Sequence, residues 1–184
     1  MQIAEKKKKY TVADYQLLEE GAPFQLINYD LIMSPSPNSY HQLVSGEIFF
    51  FIKTFLNNTN DSGLVISAPM DVVLDDGNVY QPDIIYISEK RKNQLVKERI
   101  EGAPDLVIEI LSPSTGYYDL RYKKDIYERY GVKEYIIIDP MKETAESYFL
   151  TDGVYQLKQE VSKPNGLNSV LLPGLTLALD KLFK

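Results

Sequence analysis

The apolar positions follow two different periods along the chain, and the change of period separates helices from strands. A long helix is predicted from Ser39 to about Asn57, with a buried stripe formed by Val44, Ile48, Phe51 and Phe55. Glu47 lies beside that stripe. Burial of its carboxylate would have to be compensated by a cation, a metal ion or hydrogen bonds.

After this helix the period shortens, and segments rich in Val, Ile and Tyr predict strands at residues 63–68, 70–74, 80–88 and 105–111. The last of these is nearly all apolar, as expected of a central strand covered on both faces. A helix over about 119–130 and a strand over 134–139 follow. This strand–helix–strand order predicts a right-handed parallel crossover.

Short hairpins are expected in the N-terminal and C-terminal parts, at residues 24–33 and at 147–150 with 154–161. A short helix is predicted before the first of them, at residues 11–20. The pattern therefore predicts an α/β protein with a mixed central sheet flanked by helices. No repeat or Gly/Ser linker divides the chain, so we expect one domain over residues 1–184, with 1–10 as a flexible basic tail.

Composition narrows the chemistry that this fold can carry. The chain has no cysteine and a single histidine, His41, which excludes zinc–thiolate sites and sites needing two imidazoles. A metal ion would be held mainly by carboxylates and carbonyls, which suits Mg²⁺ or Mn²⁺. The net charge of −6 argues against a protein that coats nucleic acid, although it allows a local basic groove.

Nothing in the sequence predicts a membrane protein. The longest apolar stretches fall short of the ~20 residues that a membrane span requires. The lysine run at residues 6–9 has no apolar segment behind it, so it is not a signal peptide. We therefore expect a cytoplasmic protein.

Three charged residues occupy positions that a purely structural chain would fill with apolar side chains. Asp83 follows Pro82 within a strand of Ile and Tyr, and Glu109 lies in the middle of the most apolar run. Lys123 shares a helical face with Tyr127, whereas Lys124 points elsewhere. Two strand carboxylates can hold a divalent cation, and an inward lysine can offset charge that builds on a phosphate.

Four sequence blocks then resemble a known family. They are Gln81-Pro82-Asp83, the run Pro104-Asp105-Leu106-Val107-Ile108-Glu109-Ile110-Leu111-Ser112-Pro113-Ser114, Asp119-x-x-x-Lys123-x-x-x-Tyr127, and Gly131-Val132-x-Glu134-Tyr135-Ile136-Ile137-Ile138-Asp139-Pro140. Together they resemble the Uma-two family of putative restriction endonucleases, within the PD-(D/E)XK nuclease superfamily. The similarity covers nearly the whole chain.

The resemblance implies a restriction-endonuclease-like fold and Mg²⁺- or Mn²⁺-dependent cleavage of DNA. Asp83, Glu109 and Lys123 would be the catalytic residues. The metal ligands would be Asp83, Glu109, the carbonyl of Ile110 and, as an outer ligand, Glu47. The chain departs from the superfamily at Leu111, where a lysine is usual. Lys123 would then be that lysine, relocated to the helix.

Structural alternatives stay open for each of these residues. Asp83 could cap a turn, and Glu109 could form a buried ion pair with Lys123 without any metal. Glu47 could form an ordinary ion pair. Asp105 is expected to start a strand, and His41 to be a satisfied structural group. Substitution Glu109→Ala is expected to abolish cleavage without lowering the thermal midpoint.

Two functions from different classes follow from these readings. The first is a metal-dependent DNA endonuclease, with homodimer formation expected because symmetric pairs can cut both strands. The second is a catalytically weak nuclease fold that acts as a DNA-binding or assembly module. The negative charge and Leu111 favour the second.

Overall fold

The computed structural model describes residues 8–19, 21–34, 36–112 and 117–184, and the side chains of 117–121 lie outside that description. The helices are α1 (Val12–Tyr15), α2 (Ser39–Thr59), α3 (Glu89–Leu95), α4 (Tyr117–Tyr130) and α5 (Leu179–Leu182). The strands are β1 (Phe24–Ile27), β2 (Asp30–Met33), β3 (Leu64–Ser67), β4 (Val72–Asp75), β5 (Asn78–Tyr80), β6 (Ile84–Ile87), β7 (Ile100–Glu101), β8 (Leu106–Ile110), β9 (Glu134–Asp139), β10 (Thr144–Thr151), β11 (Val154–Ser162), β12 (Gly166–Asn168) and β13 (Thr176–Ala178).

The larger sheet has six strands in the order β11-β10-β9-β8-β6-β3. Strands β8 and β9 are parallel, and the other neighbours are antiparallel. Helix α4 connects β8 to β9, so the parallel crossover predicted from the sequence is present. The prediction of an α/β fold with a mixed sheet is confirmed.

Helices cover both faces of this sheet because alternate residues of its central strands point to opposite sides. On one face, Ile108 packs in a core with Val44 and Ile48 of α2. On the other face, Val107 packs in a second core with Tyr127 of α4. A strand that must serve two cores has little room for charge, which makes Glu109 of β8 conspicuous.

A two-stranded sheet pairs β12 with β13, and the smaller of the two main sheets has the order β2-β1-β5-β4-β7, which includes the N-terminal hairpin. The predicted hairpin β1–β2 turns at Asn28 and Tyr29, whose φ angles of 50° and 66° fit a primed two-residue turn. Helix α1 covers this sheet but is shorter than the predicted 11–20. Only the end of the predicted tail is described, where the Tyr10 amide donates to the Tyr29 carbonyl at 2.9 Å.

The predicted strand at residues 80–88 is wrong in one respect that matters for the site. It is divided into β5 and β6, which belong to different sheets. Pro82 has no backbone N–H and cannot donate a hydrogen bond to a neighbouring strand. The strand therefore ends before Pro82, and the chain passes from the small sheet to the large one. Asp83 therefore lies between the two sheets and not inside a strand.

Helix α2 forms where it was predicted and presents one face to the large sheet. The Asn38 side chain accepts a hydrogen bond from the His41 amide at 2.8 Å and caps the N-terminus. The fully buried stripe is formed by Val44, Ile48, Ile52 and Leu56. In the described ranges, none of the helices combines the length and apolar character needed to cross a bilayer.

Candidate active site

Asp83 is held at the junction of the two sheets by two contacts. Its Oδ2 accepts a hydrogen bond from the Ile110 amide at 2.8 Å. The same oxygen lies 3.3 Å from Nε2 of His41, and the Asp83 side chain keeps 17% of its surface exposed. Because Ile110 directly follows Glu109, this contact fixes Asp83 beside the strand end that carries the second carboxylate.

Glu109 is buried on the face of β8 that is turned toward α4. Its Oε1 accepts a hydrogen bond from the Tyr127 hydroxyl at 2.7 Å, and its Oε2 lies 2.9 Å from Nζ of Lys123. Burial raises the pKa of Glu109, and the charge of Asp83 raises it further, while Lys123 acts in the opposite direction. The two carboxylates are thus electrostatically coupled across the strand end.

Lys123 reaches this position from the middle of α4. Its residue surface is only 7% exposed, and its side chain forms the ion pair with Glu109. The neighbouring Lys124 points away, with its Nζ 3.7 Å from the centre of the Tyr148 ring. Leu111, which directly follows β8, packs partly buried against the apolar core under α4. The amine therefore arrives from the helix, as the spacing predicted.

His41 also lies at this site, although the sequence predicted only a structural role for it. Burial lowers the pKa of His41, but hydrogen bonds to Asp83 and to the Ile110 backbone, together with the nearby carboxylate charges, outweigh this effect and raise it. Among the described residues, its Nδ1 has no hydrogen-bond partner. Helical spacing could have indicated this position, because His41 lies on the same face of α2 as Ile48 and Ile52.

Glu47, expected as an outer metal ligand, is placed elsewhere. Its carboxylate pairs with Nζ of Lys184 at 2.7 Å, and both side chains are well exposed. At 100° per residue, Glu47 and the residues that face Asp83 lie on opposite flanks of α2. The Lys184 ammonium therefore balances the charge of the Glu47 carboxylate. The structure does not bring Glu47 to Asp83 and Glu109.

Oxygen donors for a divalent cation are present at the end of β8. Asp83 and Ile110 line the same cleft, and Glu109 directly precedes Ile110 in β8. In the described part of the chain, no three acidic or histidine side chains come close enough to form a complete ligand set. The donor chemistry fits Mg²⁺ or Mn²⁺, provided that Glu109 exchanges its contact with Lys123 or Tyr127.

A cleft of about 550 Å³ opens in front of Asp83, Ile110 and Lys123. Its walls come from α2, from the segments flanking β1 and β2, and from the end of β3. The cleft gives solvent and ligands access to Asp83 and Lys123, whereas Glu109 is buried behind Lys123 and is not among the lining residues. A buried ion pair of purely structural purpose would not need such an opening.

Asp83, Glu109 and Lys123 thus come together near the end of the central strand β8 of an α/β fold. The family described as "Uma2: Putative restriction endonuclease" matches residues 12–180. The chain therefore belongs to this family, and the resemblance seen in the sequence is confirmed.

A solved structure has the same fold. It is described as a "putative nuclease belonging to DUF820 from Anabaena variabilis ATCC 29413", and it is 22% identical to this chain. The alignment covers 94% of this chain and 97% of that one, with a TM-score of 0.79. No curated protein matches the chain.

Proposed function

We propose that this chain is an endonuclease that hydrolyses DNA phosphodiester bonds with the help of Mg²⁺ or Mn²⁺. The main support is the grouping of Asp83, Glu109 and Lys123 near one strand end, with Asp83 and Lys123 lining a cleft, in a chain of a restriction endonuclease family. The substrate would enter the cleft and meet Asp83 first. We expect this activity in the cytoplasm.

Asp83, Glu109 and the Ile110 carbonyl are the groups that would hold the cation. When bound, such a cation would supply Lewis-acid polarisation of the phosphodiester. The donors are hard oxygens, as Mg²⁺ and Mn²⁺ prefer. His41 orients Asp83 through its Nε2, and Tyr127 orients Glu109 through its hydroxyl.

Lys123 is the group best placed to act on the substrate itself. Its ammonium can offset the negative charge that accumulates on the phosphate in the transition state. Glu109 holds that ammonium at 2.9 Å and so fixes its direction in the absence of substrate. Because Leu111 packs in the core, the lysine from α4 is the replacement for a strand lysine.

Plasmid nicking tests this proposal. Supercoiled plasmid is incubated with Mg²⁺, with Mn²⁺ or with EDTA, and relaxation is followed on a gel. Metal-dependent nicking is expected from the parent protein, and Glu109→Gln should reduce the rate on the order of 10²–10³-fold, because it removes a charge at the reacting centre. Glu47→Gln is the matched control and should nick like the parent.

One observation favours the second candidate, a DNA-binding or assembly module with little catalysis. Both oxygens of Glu109 are already bonded, to Lys123 and to Tyr127. Salt-sensitive DNA binding that is indifferent to metal, without nicking under any condition, would favour this candidate over the nuclease.

A homodimer is part of the proposed function, since two copies could cut two strands. Leu43 and Phe50 lie seven residues apart on the outer face of α2, with exposed fractions of 68% and 63%. Sedimentation velocity at micromolar concentration should give the mass of a dimer. A monomer under those conditions would contradict this part.

A further inference from the structure

The cleft in front of Asp83 has walls of an unusual chemical kind for a protein that handles nucleic acid. Among the described residues that line it, Lys123 is the only lysine or arginine and Asp83 the only acid. The polar remainder consists of His41, whose Nε2 lies 3.3 Å from Oδ2 of Asp83 and so offsets that carboxylate, together with four amide side chains and five serines. The wall is therefore hydrogen-bonding but close to neutral.

Neutral walls do not suit a duplex backbone. Proteins bind duplex DNA by neutralising several phosphates with lysine and arginine. Here Lys123 is already engaged by Glu109, and the chain as a whole carries a net charge of −6. Backbone attraction along this cleft would be weak.

The same walls suit the edges of a base. Amides and serine hydroxyls each combine donors and acceptors, which is the pattern that base edges present. Phe49 adds a half-buried aromatic ring and Pro69 an apolar surface to the wall. Enzymes that take a nucleotide out of the stack read it by stacking and by hydrogen bonds of this kind.

Size points in the same direction. The volume of about 550 Å³ lies within the ~300–1,000 Å³ of pockets that hold one small ligand. That space accommodates one nucleotide, whereas a duplex is far wider. A base seated there would bring its own phosphate to Asp83 and Lys123.

We propose that this cleft holds the base of one unpaired nucleotide, so that the protein prefers single-stranded or bulged DNA to fully paired duplex. This inference rests on the proposed nuclease function for its biological meaning. Its physical content, a base pocket, can be tested without catalysis.

The test compares three fluorescein-labelled forms of one oligonucleotide: a single strand, a duplex with a one-nucleotide bulge and a fully paired duplex. Fluorescence anisotropy in EDTA measures binding to each form without cleavage. The single strand and the bulged duplex should bind on the order of tenfold more tightly than the paired duplex, an effect that stacking of one base can supply.

Gly46→Leu is the variant that should close the pocket. Gly46 lines the cleft from α2, and a Cβ added there meets nothing within 4 Å. Leucine also has a better helix propensity than glycine, so the fold is not at risk. This variant should lose the preference for unpaired DNA. Asn57→Leu, at an exposed position of the same helix outside the cleft, is the matched control and should keep it.

Equal affinity for the three forms, tighter binding of the paired duplex, or no binding at all would overturn the base pocket. An unchanged preference in Gly46→Leu would do the same. Hydrolysis of bis(p-nitrophenyl) phosphate with Mn²⁺, which needs no base pocket, reports on the catalytic centre separately. Absence of that hydrolysis in a protein that still prefers unpaired DNA would support the base pocket and count against the nuclease function.

Discussion

Two glutamates on neighbouring parallel strands show how differently one fold can use the same buried group. Glu109 of β8 is 4% exposed and Glu134 of β9 is fully buried. Glu134 accepts four hydrogen bonds from neutral donors, the hydroxyls of Ser147 and Ser169 and the amides of Val170 and Leu171. Glu109 instead contacts Lys123 and Tyr127, and it lies beside an open cleft.

The two glutamates differ in the groups that donate hydrogen bonds to them. Neutral donors fixed by the backbone tie Glu134 to the segment after β12, and no substrate could replace them without unfolding that segment. The partner of Glu109 is a lysine that carries its own charge, and under the proposed function a metal ion or a phosphate would replace this contact. Burial is therefore a poor guide to function unless the donors are known as well.

Removing the charge of Lys123 beside Glu109 should have the largest effect on the free energy of unfolding. Lys123→Met leaves a buried carboxylate without its ion pair, and losing one partner of such a pair typically costs about 3–5 kcal/mol. Urea unfolding measures the change. Lys123→Met combined with Glu109→Leu should recover much of the loss, and an additive double variant would show that the two groups are not coupled.

The same reasoning changes the expectation for Glu109→Ala. From the sequence we expected a thermal midpoint that is unchanged or higher, because a buried acid would be gone. The structure buries Lys123 against that acid, so the substitution would strand an ammonium. We now expect the midpoint to fall.

Weakening the neutral network of Glu134 should cost less. Glu134→Gln replaces an acceptor oxygen by an NH₂ group that faces donors, and unmet buried donors cost about 1–3 kcal/mol each. We expect a loss of about 2–3 kcal/mol in urea unfolding, with faster hydrogen exchange at the amides of Val170 and Leu171. A loss close to zero would mean that the segment can close without this carboxylate.

Asp105 should give a smaller effect that depends on pH. Burial raises the pKa of Asp105, but hydrogen bonds from Lys133, Ser88 and Arg91 outweigh it and lower the pKa. Its contribution to stability is therefore complete above the unfolded-state pKa of about 3.9 and is lost as pH falls through the folded-state pKa. The loss of stability between pH 5 and pH 3 should be smaller in Asp105→Asn than in the parent protein.

The exposed pair of Glu47 and Lys184 should give the smallest effect. Surface ion pairs contribute about 0–1 kcal/mol. Glu47→Gln should shift the urea midpoint very little, and the shift should vanish in high salt. A loss similar to that of Lys123→Met would mean that Glu47 is more deeply coupled to the fold than its exposure indicates.

Local pattern was enough to predict the elements that carry strong periodicity. The long helix, the central apolar strand and the crossover to residues 134–139 are where the sequence placed them. Helix α3 was not predicted because its sequence is almost wholly polar and only Leu95 is buried. The break at Pro82 was mistaken for the inside of a strand, because both flanking segments have strand-like composition.

The candidate site was predictable to the extent that its residues contradicted their surroundings. Asp83, Glu109 and Lys123 stood out as charges in apolar or inward positions. The sequence predicted no role at the site for His41 or for the Tyr127 hydroxyl, because a histidine or tyrosine on a buried stripe is ordinary. Their contacts with Asp83 and Glu109 join residues that are distant in sequence, and only the packing of α2 and α4 on the sheet creates them.

The end of the strand at Pro82 also separates the part of the fold that carries the proposed reacting groups from the part that forms much of the cleft wall. Glu109 belongs to the large sheet, Lys123 to α4 and Asp83 to the junction just before β6, whereas much of the opposing wall of the cleft comes from the segments around the β1–β2 hairpin. Strand β1 contacts the rest of its sheet through the Leu26–Val79 pair. Exchanging the hairpin between relatives is thus a way to alter what the protein selects while keeping the reacting groups, and it offers a starting point for engineering new specificities.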